Sequence, residues 1–235
     1  MKGKVLVMKS KPLKSDDCST IDYGDFQSPI KIQPDCAVEM QDRGEIILNY
    51  DRTFISIEDE GDTIKVHNDE SGFAIINGRN FQLKEFHFHV GNKEEEQHES
   101  EHVIEGHCYK MELHLVHTSQ VGRIAVLSVF FKIGRENSAI QTILNNLNKK
   151  NVVTTTIDID IKELLPHETV YYHYLGSLTT SGCIENVEWY VFETSIEMSQ
   201  EQYNIFKTHY SGNVREIQNL NGRKILKKKI KLFPK

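Results

Sequence analysis

The chain has 235 residues, of which 38% are hydrophobic and 26% charged; this balance is ordinary for a soluble globular protein and excludes disorder and collagen-like repeats. Its 34 acidic and 28 basic residues give a formal charge of -6, which argues against a nucleic-acid partner because phosphate binding needs clustered positive charge. No apolar run approaches the roughly 18 residues that a membrane helix needs, so we expect no transmembrane segment. The one basic cluster, residues 224–231, is interpreted as a solvated terminus or a basic edge strand.

Short strands with period-2 alternation dominate the chain, and turn residues such as Asn77-Gly78 separate them. In chain order, the predicted strands cover residues 46–50, 54–58, 63–67, 73–76, 81–90, 109–118, 124–133, 171–175 and 188–196. One helix is predicted over residues 137–147. A second begins after the N-cap Ser199 and continues to about residue 209, with Gln202 at the capping-box position. Since no linker or repeat interrupts the pattern, we predict a single strand-dominated α+β domain over residues 1–235.

Histidines are frequent and clustered: seven of the 11 fall between His87 and His117. A strand through F-H-F-H would place His87 and His89 on one face, and a second strand would likewise place Glu112 and His114 on one face. Three histidines from neighbouring strands leave a fourth tetrahedral position for water, which is typical of a catalytic zinc site. Core or surface histidines with hydrogen-bond partners are the alternative, but H-x-H together with E-x-H favours zinc. Neither predicted helix carries H-E-x-x-H, which disfavours a zincin protease.

Further motifs surround this cluster. They are QSPIKI at residues 27–32, EFHFH at 85–89, SEH at 100–102, ELHLVH at 112–117, IAVLSVFFKIG at 124–134, LLP at 164–166, YYHYLGSLTT at 171–180, Trp189, and NVREIQNLNGRKI at 213–225. On these motifs the chain resembles the α-class carbonic anhydrases over roughly residues 24–226. The resemblance implies a large, mostly antiparallel, twisted central β-sheet with a few short peripheral helices. It also implies an enzyme that reversibly hydrates carbon dioxide to bicarbonate and a proton through a zinc-bound hydroxide.

The resemblance assigns roles residue by residue. The Zn²⁺ ligands would be His87, His89 and His114. Glu112 would accept a hydrogen bond from the third ligand, and Glu85, which stands where the family usually has Gln, would serve the first ligand. Thr179 would accept a hydrogen bond from the hydroxide and pass its own proton towards Glu101. Carbon dioxide would rest against an apolar wall formed by Val116, Val126, Leu178 and Trp189. Thr180, the neighbour of Thr179, would support the substrate.

Proton export is where the chain departs from the family pattern. The family usually has a shuttle histidine in an N-G-H motif, and Asp62 stands at that position. An ordinary Asp has a pKa of about 3.9, which makes it a poor relay near pH 7. His67 lies five residues further on, and this odd offset along a strand would turn it to the other face. We therefore expect proton transfer to limit turnover.

The cysteines bear on the compartment. Cys183 matches one half of a disulfide in secreted and bacterial members of the family, and Cys18 is the candidate partner, although spacing alone does not choose partners. Such a bridge would favour a periplasmic or secreted protein. The N-terminal segment does not resemble a signal peptide, so a cytoplasmic location is the alternative.

A different function is also compatible with the resemblance. Some carbonic-anhydrase-like proteins are non-catalytic binding or adhesion proteins, and these typically lose one or more zinc histidines. Here all three histidines remain, together with Thr179, Glu101 and Glu112, so we favour the enzyme. Its partner would be the small-molecule substrate, a side esterase activity would accompany hydration, and a homodimer stays open.

Overall fold

The computed structural model describes residues 24–50, 53–68, 72–92, 99–147 and 153–233. The helices in these parts of the chain are α1 (Ser138–Asn145) and α2 (Gln200–His209), and short 3-10 helices cover Pro34–Cys36 and Ile161–Leu164. The strands are β1 (Lys31–Ile32), β2 (Val38–Glu39), β3 (Ile46–Asn49), β4 (Thr53–Asp59), β5 (Ile64–Asn68), β6 (Phe73–Ile76), β7 (Arg79–His89), β8 (Val103–Ile104), β9 (Met111–Ser119), β10 (Ile124–Ile133), β11 (Val153–Ile159), β12 (Glu168–Ser177), β13 (Glu185–Phe192), β14 (Ile196–Met198) and β15 (Leu226–Lys231).

One sheet contains thirteen of these strands. Its main path runs β11-β4-β5-β7-β9-β10-β13-β12-β15-β2, while β3 pairs with β6, β6 with β7, and β14 with β10. Most of the described pairs are antiparallel; β10 with β13, β10 with β14 and β15 with β2 are parallel, as is the separate pair of β1 and β8. The predicted strand-dominated α+β fold, with a large and mostly antiparallel sheet and few helices, is confirmed.

The two faces of the sheet differ in chemistry. On β7, Phe86 and Phe88 enter the main apolar core, whereas His87 and His89 point to the opposite side. Helix α2 covers the core face through Phe206, which is fully buried. The predicted capping box between Ser199 and Gln202 stabilises the N-terminal end of this helix. We call the side that carries His87 and His89 the cleft face. Close packing behind β7 holds these two side chains in place.

The strand predicted over residues 188–196 is in fact two strands. β13 and β14 both pair with β10, but the register moves from Ser128 opposite Val191 to Phe131 opposite Ile196. The extra residues on one side must bulge out of the ladder, and the pairing is therefore interrupted between β13 and β14. The basic cluster at residues 224–231 also differs from a solvated terminus, because β15 is paired with both β12 and β2.

The described residues give no support to the predicted disulfide. Cys36, Cys108 and Cys183 form no disulfide with one another, and Cys18 lies outside the described residues. Within the same parts of the chain, no helix is both long enough and apolar enough to cross a membrane.

Candidate metal centre

Three histidine side chains converge on the cleft face. β7 supplies His87 and His89, and the adjacent antiparallel strand β9 supplies His114, which stands opposite His87 in the register. The three residues are buried, with 6%, 3% and 1% of their surface exposed. One ring nitrogen of each lies within 4.8 Å of the others. Strand pairing therefore brings together the three ligands that the motifs predict.

The ring nitrogens divide into those with a protein partner and those without. Nδ1 of His89 lies 2.7 Å from the main-chain oxygen of Asn213, and Nε2 of His114 lies 2.8 Å from Oε1 of Glu112. Among the described residues, neither nitrogen of His87 nor Nε2 of His89 has a hydrogen-bond partner, although these atoms are buried. Buried polar atoms without a partner need an explanation. Nε2 of His89, Nδ1 of His114 and a ring nitrogen of His87 are the atoms that could hold a metal ion, and imidazole nitrogens are ligands that Zn²⁺ favours.

Burial also keeps His89 and His114 in the form that binds a metal. It lowers the pKa of His89 to about 3 and that of His114 to about 4, because a charged ring loses its solvation in the interior. The neutral imidazole is the form that coordinates a metal ion. At neutral pH both rings are therefore ready to bind zinc without first losing a proton.

Glu112 anchors the third histidine. It is fully buried, and its Oε1 accepts hydrogen bonds from Nε2 of His114, Nδ1 of His102 and Oγ of Ser128, while Oε2 accepts one from the main-chain N–H of His102. Burial opposes ionisation of this carboxyl, but the charges and hydrogen bonds of the His102 and His114 rings outweigh it and hold the pKa of Glu112 well below its usual range. The carboxylate thereby fixes the tautomer of His114 that leaves Nδ1 for the metal.

Glu101 and Thr179 lie together beside the same histidines. Oε1 of Glu101 accepts a hydrogen bond of 2.9 Å from the main-chain N–H of Arg215 and lies 3.4 Å from Nδ1 of His89. Burial raises the pKa of Glu101, and the adjacent Thr179 hydroxyl is one of the groups that counter this rise. Both residues are almost completely buried. The structure therefore joins the predicted threonine and glutamate into one group next to the ligands.

An apolar wall adjoins the histidines. Val126 and Trp189 are buried in a second apolar cluster, and Val116 and Leu178 pack against it. The ring centre of Trp189 lies 4.8 Å from that of His114, and its Nε1 donates to the main-chain oxygen of Ser177. The four residues that the resemblance assigns to the carbon dioxide wall thus belong to one cluster.

A cavity opens beside His87 and His89, and one of its walls is charged. Nζ of Lys65 lies 3.2 Å from Oε1 of Glu60 and 3.5 Å from Oε2 of Glu85, and Oε1 of Glu85 lies 3.4 Å from Nδ1 of His87. Burial alone would raise the pKa of Glu85, but His87 and Lys65 outweigh it and lower that pKa to about 2. The residues that line the cavity are Glu60, Thr63, Lys65, Glu85, His87, His89, Thr180 and Asn213. The sequence motifs did not reveal Lys65, because it is an ordinary alternating position of β5.

Asp62, the residue at the shuttle position, precedes β5 and is not among the residues that line this cavity. Burial raises the pKa of its carboxyl, and its main-chain oxygen accepts a hydrogen bond of 2.9 Å from Nδ2 of Asn213. The same amide donates to the main-chain oxygen of Phe88. Asn213 thus joins the turn of Asp62 to β7 and supports His89. Sequence reasoning missed this role, since a main-chain acceptor leaves no signal in residue type.

A mostly antiparallel sheet thus carries three converging, buried histidines that could hold a metal ion, and three protein ligands are typical of a catalytic metal site. Comparison with known proteins identifies the family. The model of the eukaryotic-type carbonic anhydrase family matches residues 13–229, and the chain belongs to the carbonic anhydrase family. This confirms the resemblance carried by the motifs and the predicted enzyme class.

Relatives of this family are similar over most of the chain. The carbonic anhydrase of a Nostoc species is 32% identical over 217 residues, which covers 90% of this chain and 79% of that protein. The carbonic anhydrase of Neisseria gonorrhoeae is 34% identical over 212 residues, covering 89% and 79%. Among solved structures, the α-carbonic anhydrase of Thermovibrio ammonificans, in complex with the inhibitor sulfanilamide, matches with a TM-score of 0.76 at 36% identity, over 86% of this chain and 87% of that chain.

Proposed function

We propose that this protein is a zinc-dependent carbonic anhydrase that reversibly hydrates carbon dioxide to bicarbonate and a proton. The observation that carries the proposal is the convergence of buried ring nitrogens from His87, His89 and His114 in a chain of this family. Zn²⁺ bound there would lower the pKa of a water molecule in its open position to about 7, an effect for which carbonic anhydrases are themselves the standard example. The side chains around the ligands would orient the nucleophile and bind the substrate.

Thr179 and Glu101 would orient the attacking oxygen. A hydroxyl group has one proton to donate. If Thr179 gives that proton to the buried Glu101 carboxylate beside it, only the oxygen lone pairs of Thr179 remain for the nucleophile. The nucleophile must then donate its own hydrogen to Thr179, which directs a lone pair towards the substrate carbon. Such positioning needs no reorganisation during the reaction.

The apolar wall of Val116, Val126, Leu178 and Trp189 would receive carbon dioxide. The substrate is small and uncharged, so a surface that excludes water holds it without hydrogen bonds. Bicarbonate is an anion and gains nothing from such a surface, which favours its departure. Thr180, which lines the cavity beside His87 and His89, would offer it a hydrogen bond.

Two related functions follow from the same residues. A small activated ester would be hydrolysed by the same nucleophile, so a weak esterase activity would accompany hydration. A non-catalytic binding protein would be expected to lack part of the ligand set, and the retained ligands with the Glu112 anchor therefore favour the enzyme.

Zinc analysis and stopped-flow hydration of carbon dioxide test the proposal together. We expect one zinc per chain and hydration that chelation abolishes. His114→Ala should lose both zinc and hydration, whereas the exposed His209 of helix α2 provides the matched control, and His209→Ala should keep both. Zinc without hydration in the wild type would contradict the enzyme, and wild-type zinc and turnover in His114→Ala would contradict the site.

A further inference from the structure

A row of charged side chains crosses the cleft face beside the histidines. On β5, Ile64 and Val66 enter the main apolar core, so Lys65 and His67 point to the cleft face. In the pairing of β5 with β7, Lys65 stands opposite His87, and His67 stands opposite Glu85. His67 therefore lies on the same side as the metal ligands, one pair of residues further from them than Lys65.

This position differs from the one expected from counting along the sequence. An offset of five residues from Asp62 would turn His67 away only if one strand contained both residues. β5 begins at Ile64, and Asp62 belongs to the preceding turn. Alternation therefore does not connect the two residues, and His67 lies on the cleft face whatever the direction of the Asp62 side chain.

A carboxylate from the neighbouring strand supports the His67 ring. Oε2 of Glu58 on β4 lies 3.1 Å from Nε2 of His67. The two side chains are 29% and 43% exposed, so the pair is in contact with both protein and solvent. Glu85 faces His67 from β7, and Lys65 is its neighbour on the cleft face of its own strand.

We propose that His67, supported by Glu58, is the group that receives the proton leaving the cleft and releases it to solvent. This inference rests on the proposed function, because only hydration produces that proton. In the neutral ring, Nε2–H donates to Glu58, which leaves Nδ1 as the acceptor. Water in the cleft passes a proton to Nδ1, the resulting imidazolium is stabilised by the Glu58 carboxylate, and a buffer base in solvent then takes the proton.

The chemistry of the other candidates favours His67. Histidine is the side chain whose ordinary pKa lies near neutrality, and a relay works best when its pKa is near those of donor and acceptor. Of the other described histidines outside the ligand set, His102 and His117 are fully buried and engaged in hydrogen bonds. Glu85 is committed to Lys65 and His87. Burial raises the pKa of the Asp62 carboxyl, but it does so from an ordinary value of about 3.9, far below that of histidine.

Hydration kinetics in weak buffer test the proposal. His67→Ala in the zinc enzyme should lower kcat by about 10-fold or more while kcat/KM, which reports the hydration step, stays near the wild-type value. Added imidazole should restore kcat. Glu58→Gln should lower kcat by a smaller factor, because the ring stays but its imidazolium loses a counter-charge.

His107 is the matched control. Its side chain is also 43% exposed and also lies near a carboxylate, Glu193, at 3.8 Å, but it lines a separate pocket beside β8. His107→Ala should leave both kinetic constants unchanged in weak buffer. A measurement apart from turnover uses the ring signals of His67 in NMR spectra, assigned by their loss in His67→Ala; they should shift in Glu58→Gln, because the ring loses its charged hydrogen-bond partner.

Several results would overturn the proposal. Wild-type kcat in His67→Ala in weak buffer would do so, as would equal losses in kcat and kcat/KM, or ring signals of His67 that are unchanged in Glu58→Gln. A loss of kcat confined to Asp62→Asn would assign the relay to that residue instead. Absence of kcat/KM in the wild-type zinc protein is a different result, since it would contradict the proposed function itself.

Discussion

Oε1 of Glu112 lies 2.8 Å from Nε2 of His114 and also accepts hydrogen bonds from His102 and Ser128. Oε1 thus accepts three hydrogen bonds, and the Glu112 side chain is fully buried. Because every donor points at a negative charge, the geometry requires the carboxylate and not its protonated or amide form. The orientation of a metal ligand therefore depends on a charge two residues away on the same strand.

We predict that Glu112→Gln weakens zinc binding by about 10- to 100-fold. The amide can accept at only one of its polar atoms, so either the main-chain N–H of His102 or the donors that now share Oε1, including Nε2 of His114, lose their acceptor. Competition with a chelator measures the affinity. Ser128→Ala is the control, because it removes one donor to Oε1 without touching a ligand, and it should change zinc affinity much less. Equal zinc affinity in wild type and Glu112→Gln would show that Glu112 does not position His114.

We predict that Thr179→Ala lowers kcat by about 10- to 100-fold and leaves zinc content unchanged, in line with the loss of one preorganised hydrogen bond. Thr179→Ser keeps the hydroxyl beside Glu101 and should recover most of the activity. Stopped-flow hydration and metal analysis of the three proteins check this. If the alanine variant lost its zinc, Thr179 would be a structural residue and not a group that orients the nucleophile.

The strands that hold the site could be predicted because their two faces differ sharply. β10 matches the predicted range, residues 124–133, and β7 and β9 differ from theirs by one or two residues at each end. Their core sides are apolar and their cleft sides carry histidines and carboxylates, so alternation was visible. By contrast, β1 and β8 contain two residues each and exist only because Lys31 pairs with Val103, far away in sequence.

The residues of the site likewise include some that the sequence reveals and some that it does not. His87, His89 and His114 could be found from spacing, since a metal requires particular residue types at alternating positions. The contacts of Lys65 with Glu60 and Glu85 depend on pairing between β5 and β7, which one sequence does not display. Strand β11 was missed although Val, Thr and Ile dominate it, a composition that favours strands even without alternation.

We predict that His117 makes the fold less stable in mild acid. This ring is fully buried, its Nδ1 donates to the main-chain oxygen of Leu115, and its Nε2 is paired with the hydroxyl of Tyr50. Burial lowers the pKa of His117 to about 4, against an ordinary value of about 6.5. Between these values the unfolded chain binds a proton that the folded chain does not, so stability falls as the pH decreases. The loss is on the order of 3 kcal/mol once the pH is below both values.

Urea denaturation at neutral pH and near the lower pKa tests this prediction. His117→Gln carries no titrating group, so the stability advantage of the wild type over this variant should shrink as the pH falls. The exposed His209 is the control, and the advantage over His209→Gln should stay constant. A constant difference between wild type and His117→Gln would mean that the ring is not held neutral in the fold.

We predict that Lys65 and Glu85 stabilise each other although their closest atoms are 3.5 Å apart. Only 14% and 22% of these side chains are exposed, and removing one partner leaves the other charge poorly solvated. Lys65→Met alone should therefore destabilise the protein more than the same change in a Glu85→Gln background, with a coupling of about 1 kcal/mol or more. Lys31 and Glu105 provide the control, because they approach to 2.7 Å but are about half exposed. Water screens that pair, so its coupling should be smaller despite the shorter distance. Equal coupling in the two pairs, measured by denaturant unfolding of all variants, would show that burial does not strengthen the contact in the cleft.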